Sequence, residues 1–180
     1  MSKGEAISNP PTLGKSGLDP LEIFSFPLDE FQLEAIRALN HGYSVVVSAP
    51  TGSGKTLIGE YSIHRAISHG KKVFYTTPLK ALSNQKLRDF RDQFGTDNVG
   101  LMTGDLSVNR EASVVVMTTE IFRNMLYVEA NPHDDPLRDV EAVVLDECHY
   151  MNDSQRGTVW EESIIHCPSS VQLVALSATV

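Results

Sequence analysis

"YSVVVSAPTGSGKTLIGEYSIHRAISHG", residues 43–70, passes from a valine-rich run through a glycine-bearing turn into a helix-like stretch that stops at a glycine. The first seven residues have the length and β-branched content of a buried strand. "APTGSGKT", Ala49 to Thr56, then fits a phosphate-loop pattern, except that Ala49 stands where the first glycine would be. Gly52 and Gly54 permit backbone conformations that turn the loop's successive N–H groups towards an anion, so the stretch Ala49, Pro50, Thr51, Gly52, Ser53, Gly54 is the expected nucleotide cradle, with Pro50 contributing no N–H. The following helix points its positive N-terminal end at the same place. Lys55 is placed to reach β- and γ-phosphates, and the Thr56 hydroxyl to ligate Mg²⁺. A plain glycine-rich turn is the competing reading, and Gly-Lys-Thr between strand and helix argues against it.

Further short apolar runs occur at 72–77, 112–119, 141–147 and 171–178, with helix-like stretches between several of them. "LDEFQLEAIRALNHG" puts Leu28, Phe31, Ala35 and Leu39 on one stripe, and "LKALSNQKLRDFRDQFG" also ends at a glycine. Alternation of strand and helix implies an α/β fold with a mainly parallel sheet and helices on both faces. Ligands of such sheets gather beyond the carboxyl ends of the strands. Four runs end there in small or polar residues, and the fifth ends in Asp146-Glu147.

The bulk properties exclude several classes. The chain has 180 residues, 41% hydrophobic and 21% charged, with a formal net charge of −8. That balance argues against holding nucleic acid by bulk charge, so any such binding needs a local surface. No apolar stretch suggests a membrane span, and "MSKGEAISNPPTLGKSGLDP" has neither a signal-peptide core nor an arginine-rich transit character. Residues 1–20 read as a flexible arm and 21–180 as one domain. Cys148 and Cys167 form no zinc or disulfide pattern, and a reducing, cytoplasmic setting is expected; the alternative is a chloroplast stroma after removal of a transit peptide.

"DECH", Asp146 to His149, offers metal ligands, bases and a nucleophile in succession. Consecutive side chains at a strand end diverge, so the four make a poor zinc site. A Cys148 nucleophile lacks a patterned base, and Cys148 reads as a buried spacer. Downstream of a phosphate loop, Asp146 suits Mg²⁺ and Glu147 suits orientation and deprotonation of an attacking water. His149 has Ser177 and Thr179 as hydroxyl partners at another strand end, or is a satisfied core histidine.

Together these stretches resemble the N-terminal RecA-like lobe of a superfamily 2 DExH-box helicase. "APTGSGKT" looks like motif I, "TPLKALSNQK" motif Ia, "MTGD" motif Ib, "TTEIFRNML" the next nucleic-acid motif, "DECH" motif II and "SAT" motif III. "YTTPLKALSNQKLRDF", "VVVMTTEIFRNMLY" and "RGTVWEESII" are most similar to superkiller-type RNA helicases, their cyanobacterial and chloroplast branch in particular. The resemblance implies a RecA-like P-loop fold and an ATP-dependent RNA helicase that uses ATP and Mg²⁺. It implies stacking of adenine on Phe26 and reading of its edge by Gln32; Asp29 and Gln32 also have capping-box spacing. It places RNA phosphates along Thr77, Pro78, Lys80, Asn84, Gln85, Thr103, Gly104, Thr119 and Arg123. Lys86, Arg88 and Arg91 read instead as a solvated helix face. His149, Ser177 and Thr179 would couple nucleotide state to the strand-binding surface.

Helicases of this kind need a second RecA-like lobe, and no "QxxGRxGR" pattern occurs in these residues. Residues 1–180 alone are therefore expected to turn over almost no ATP. A DNA helicase or translocase of the same superfamily is the alternative enzyme, and a non-catalytic nucleic-acid-binding module the alternative of another class. A GTPase is disfavoured because there is no Asn-Lys-x-Asp stretch.

Overall fold

The computed structural model describes residues 18–127, 133–149 and 157–178. Seven strands form one sheet in the order β1-β7-β6-β2-β5-β3-β4. They are β1 Val45–Ser48, β2 Lys72–Thr77, β3 Val99–Met102, β4 Ser107–Val108, β5 Val114–Thr118, β6 Val140–Leu145 and β7 Gln172–Ser177. All pairings are parallel except that of β4 with β3, which is antiparallel. The five valine-rich runs are strands; β3 and β4 were not expected.

Helices α1 Pro20–Ile23, α2 Glu30–Asn40, α3 Thr56–Ser68, α4 Lys80–Phe94, α5 Thr119–Leu126 and α6 Gly157–His166 cover the faces. The two-residue period of the strands sorts the core into halves. Val73, Tyr75, Val116, Val144 and Leu176 pack with Ile36, Leu39, Tyr61, Ile63 and Phe90 of α2, α3 and α4. Phe74, Val115, Met117, Val143 and Leu145 point the other way, onto Phe122 of α5 and Ile164 of α6. Helices α1 and α6 were likewise not expected. Leu18, the first described residue, packs against the first core, and its carbonyl accepts a hydrogen bond from the Tyr61 hydroxyl at 3.1 Å. Among the described residues no helix is long and apolar enough to cross a membrane.

The six parallel strands bring their carboxyl ends to a single edge. There β7 lies between β1, which leads into the phosphate loop, and β6, which leads into the acidic stretch. The two halves of the expected nucleotide site thus stand two strand positions apart, roughly 10 Å by ordinary strand spacing.

Candidate nucleotide and nucleic-acid site

The loop after β1 is anchored to β7 by the Ala49 N–H, which donates to the Ser177 carbonyl at 3.1 Å. Gly54 has φ +85, and a Cβ there would meet Gln32 Nε2 at 2.7 Å, so only glycine fits both the backbone and its neighbour. Gln32, buried at the start of α2, donates from Nε2 to the Gly54 carbonyl at 2.9 Å. Its Oε1 accepts the Asp29 N–H at 2.8 Å. One carboxamide therefore caps α2 and braces the phosphate loop, leaving one N–H and one lone pair for another partner. Phe26, four residues before the start of α2, is half exposed.

Lys55 is 6% exposed, yet among the described residues its ammonium has no hydrogen-bond or ion-pair partner. The buried Ser53 hydroxyl is also without a hydrogen bond among them. Lys55 and the buried Ser53 hydroxyl, neither with a partner among the described residues, fit an anionic group seated in the loop.

At the end of β6 the Asp146 side chain is buried, and its backbone N–H continues the ladder to the Thr76 carbonyl at 3.0 Å. Its Oδ1 accepts the Glu147 N–H at 2.9 Å and its Oδ2 accepts the Tyr75 hydroxyl at 2.6 Å. Burial first, and then the Asp146 carboxylate, push the Tyr75 phenol well above its ordinary range, so it remains a donor at neutral pH. Tyr75 has room because Gly59 of α3 faces it: a Cβ at Gly59 would lie 3.0 Å from the ring.

Glu147 has φ +56, a left-handed backbone that costs a non-glycine residue on the order of 1–3 kcal/mol. It sends its carboxylate away from Asp146, to 3.1 Å from His149 Nε2. His149 Nδ1 accepts the Ala178 N–H at 3.1 Å. Among the described residues the contact reached at β7 is a backbone amide; the Ser177 hydroxyl donates to the Ala178 carbonyl at 3.1 Å, and the expected partner Thr179 lies outside the described residues. Cys148 is buried and its thiol donates to the Leu176 carbonyl at 2.9 Å, joining β6 to β7, while burial raises its pKa to about 11. The four side chains of "DECH" thus address three different neighbours.

The expected nucleic-acid residues divide by exposure. Thr77 is buried, its hydroxyl bonded to the Leu79 carbonyl at 3.0 Å and to the Ser83 hydroxyl at 2.7 Å. Thr103 is buried in a turn with Leu106, and Thr119 is buried with its hydroxyl 3.5 Å from that of Thr76. These three hydroxyls are engaged within the loops that carry them. Lys80, Gln85 and Gly104 are exposed, with Pro78, Asn84 and Arg123 partly so. Lys80 pairs with Asp105, and Arg123 lies 3.6 Å from Glu162 of α6.

Residues 29–180 match the family model described as DEAD/DEAH box helicase. The chain belongs to the DEAD/DEAH box helicase family. Over 162 residues it is 57% identical to the chloroplastic DExH-box ATP-dependent RNA helicase DExH15 of Arabidopsis thaliana, covering 89% of this chain and 14% of that protein. It is 51% identical over 162 residues to the antiviral helicase SKI2 of Saccharomyces cerevisiae, covering 90% of this chain and 12% of that one. The chain therefore spans about one seventh of the first relative. Among solved structures, the helicase MrfA bound to DNA and AMPPNP superposes with a TM-score of 0.64 at 21% identity, over 85% of this chain and 24% of that one. The UvsW helicase of bacteriophage T4 gives 0.60 at 20% identity, over 84% and 52%. These two likenesses concern the fold.

DEAD/DEAH box helicases use ATP, commonly with Mg²⁺, and act on nucleic acid. The residues of this helicase domain suit that metal: Asp146 presents a buried carboxylate at the strand edge, and Thr56 opens α3 directly after Lys55. One side chain escaped the sequence reading. Lys86 of α4 was assigned to a solvated face, but it is only 22% exposed and its Nζ lies 3.9 Å from Asp146 Oδ2. It also sits 5.6 Å from the centre of the Tyr75 ring and 5.7 Å from that of Phe90. The available signal was its spacing: Ser83, Lys86 and Phe90 share the inner stripe of α4. Arg91 departs from the same assignment, with a buried Nε, whereas Arg88 is exposed.

Proposed function

We propose that the chain is the ATP-binding lobe of an ATP-dependent RNA helicase, which couples hydrolysis to movement along single-stranded RNA and to unwinding. The observation that carries this reading is the pairing, across β7, of a phosphate loop with a buried carboxylate that ends β6. The names of the relatives, ATP-dependent RNA helicase and superkiller complex protein among them, support RNA as the strand.

In this reading the backbone from Ala49 to Thr56 cradles the phosphates, Lys55 neutralises the β- and γ-groups, and Thr56 and Asp146 hold Mg²⁺. The metal supplies charge neutralisation on the transferred phosphoryl group. Glu147 orients and deprotonates water; its contact with His149 ties that base to the backbone at Ala178. Phe26 and Gln32 take the adenine. RNA phosphates run past Lys80, Asn84, Gln85, Gly104 and Arg123, contacts that hold a strand without reading its sequence. His149, with Ser177 and Thr179, reports nucleotide state to that track. A second RecA-like lobe closes the site with arginines, worth about 10³–10⁵ in rate.

The test has two arms. Residues 1–180 should bind a fluorescent ATP analogue in a Lys55-dependent way and hydrolyse almost none; robust RNA-stimulated turnover by these residues alone overturns the need for a second lobe. In a polypeptide joining this lobe to a second one, Glu147→Gln should retain nucleotide binding and lose hydrolysis. Competition between single-stranded RNA and DNA of one sequence assigns the strand, since a 2′-hydroxyl contact favours RNA; preference for DNA overturns that part of the proposal.

A further inference from the structure

Lys86 is an unusual lysine. Long cations keep their heads in water unless something draws them in. Here the ammonium sits 5.6 and 5.7 Å from the centres of the Tyr75 and Phe90 rings and 3.9 Å from Asp146 Oδ2. Tyr75 holds that same oxygen at 2.6 Å, so hydroxyl and ammonium converge on one carboxylate. Glu60 of α3 is the other acid whose charge Lys86 influences.

The helix carrying Lys86 also carries the candidate strand contacts. Lys80 and Gln85 lie on the outer side of α4, and Ser83, Lys86 and Phe90 on the inner. Ser83 is bonded to Thr77 at the end of β2, two residues beyond Tyr75. A shift of α4 along or about its axis therefore moves Lys86 relative to Asp146. A divalent cation at Asp146 and the ammonium of Lys86 repel each other, and both draw on one carboxylate.

We propose that Lys86 is a positioning residue through which α4 acts on the carboxylate that takes the metal. It serves as the counter-ion of Asp146 when Mg²⁺ is absent and opposes Mg²⁺ until a strand held on the outer side of α4 displaces it. The inference rests on the assignment of Asp146 to Mg²⁺ and of α4 to the strand. Like charges a few ångströms apart in a partly solvated site change each other's affinity by about tenfold or more.

The experiment measures the affinity of residues 1–180 for a fluorescent AMPPNP analogue in Mg²⁺ and in EDTA, by titration, and takes the ratio. Lys86→Met fills the same space between the rings without charge; it should raise the metal-dependent ratio about tenfold. Lys86→Arg should stay within about twofold of wild type, and Lys86→Gln is the second neutral variant should the methionine form not fold. A 20-nucleotide oligouridylate at saturation should raise the wild-type ratio and leave that of Lys86→Met unmoved. An equal ratio in wild type and the neutral variants overturns the role of Lys86. A wild-type ratio indifferent to RNA overturns the link through α4. Should Asp146→Asn leave the ratio unchanged, the proposed metal site itself falls, and this inference with it.

Discussion

Truncating Gln32 to alanine separates two jobs that one side chain performs. Its Oε1 caps α2 through the Asp29 N–H at 2.8 Å, and its Nε2 holds the Gly54 carbonyl at 2.9 Å. Losing a helix cap costs about 1 kcal/mol. The Gly54 carbonyl is not orphaned, because the Leu57 N–H still donates to it at 3.2 Å, so only the net value of one hydrogen bond is lost there. That is about 1 kcal/mol. Removing the methylenes of a residue only 5% exposed adds about another 1 kcal/mol. The sum is about 3 kcal/mol, which in a domain of this size lowers the melting temperature by about 6–12 °C.

The assay is urea denaturation of Gln32→Ala beside wild type, followed by titration with ATP and GTP analogues. Because the brace holds the phosphate loop, both nucleotides should weaken together; an additional loss for ATP measures adenine reading on top of it. A variant as stable as wild type within about 0.5 kcal/mol refutes the brace, since the two hydrogen bonds and the burial would then contribute nothing.

Gly59→Ala pits helix propensity against packing. An interior alanine is worth about 1 kcal/mol over glycine, but the new Cβ would stand 3.0 Å from the Tyr75 ring and 3.3 Å from Val144. Tyr75 has no room to yield, being bonded to Asp146 and set edge-on to Phe90 at 4.8 Å, so overpacking of about 1–3 kcal/mol should win. A urea midpoint at or above wild type would show that the ring gives way. The thiols set an alkaline limit. Burial raises Cys148 and Cys167 from an ordinary 9.0 to about 11, so between these pH values the unfolded chain has lost protons that the folded chain keeps. Stability is whole below pH 9 and declines towards pH 11. Comparison of wild type with Cys148→Ala and Cys167→Ala at pH 8 and 10.5 should give a flatter decline in the variants; identical slopes would contradict the burial argument.

Much of the fold is legible because its physics is local. Interior parallel strands are apolar on both faces, so the runs at β1, β2, β5, β6 and β7 stand out from the sequence. "VGLM" of β3 is four residues with a glycine, and β4 is two residues, too short to show a period. The phosphate loop was legible for a similar reason: its work is done by backbone and fixed spacing. The hydrogen-bond partners of the threonine hydroxyls were not. Thr77, Thr103 and Thr119 are the residue type expected along a phosphate track, but each hydroxyl is committed to a partner that only the folded chain supplies. Lys86 was misread through the default that a lysine faces water. The register of β2 on β6, which sets Tyr75 beside Val144 and Thr76 beside Leu145, is what brings Asp146 within reach of α4.

The acidic stretch shows why reading residue types in a row misleads. A strand that simply continued would alternate Asp146 and Glu147 across the sheet. The left-handed backbone at Glu147 breaks that alternation and makes two separate connections from adjacent carboxylates. Asp146 is bound to β2 and α4 through Tyr75 and Lys86, on the side of the candidate strand contacts. Glu147 is bound through His149 to the amide of Ala178, beyond β7. Cys148, hydrogen-bonded to Leu176, fixes the distance between the two connections. A movement of α4 therefore reaches Asp146, and a movement at the end of β7 reaches Glu147, by routes that meet at their shared peptide and at the hydrogen bond from the Glu147 N–H to Asp146 Oδ1.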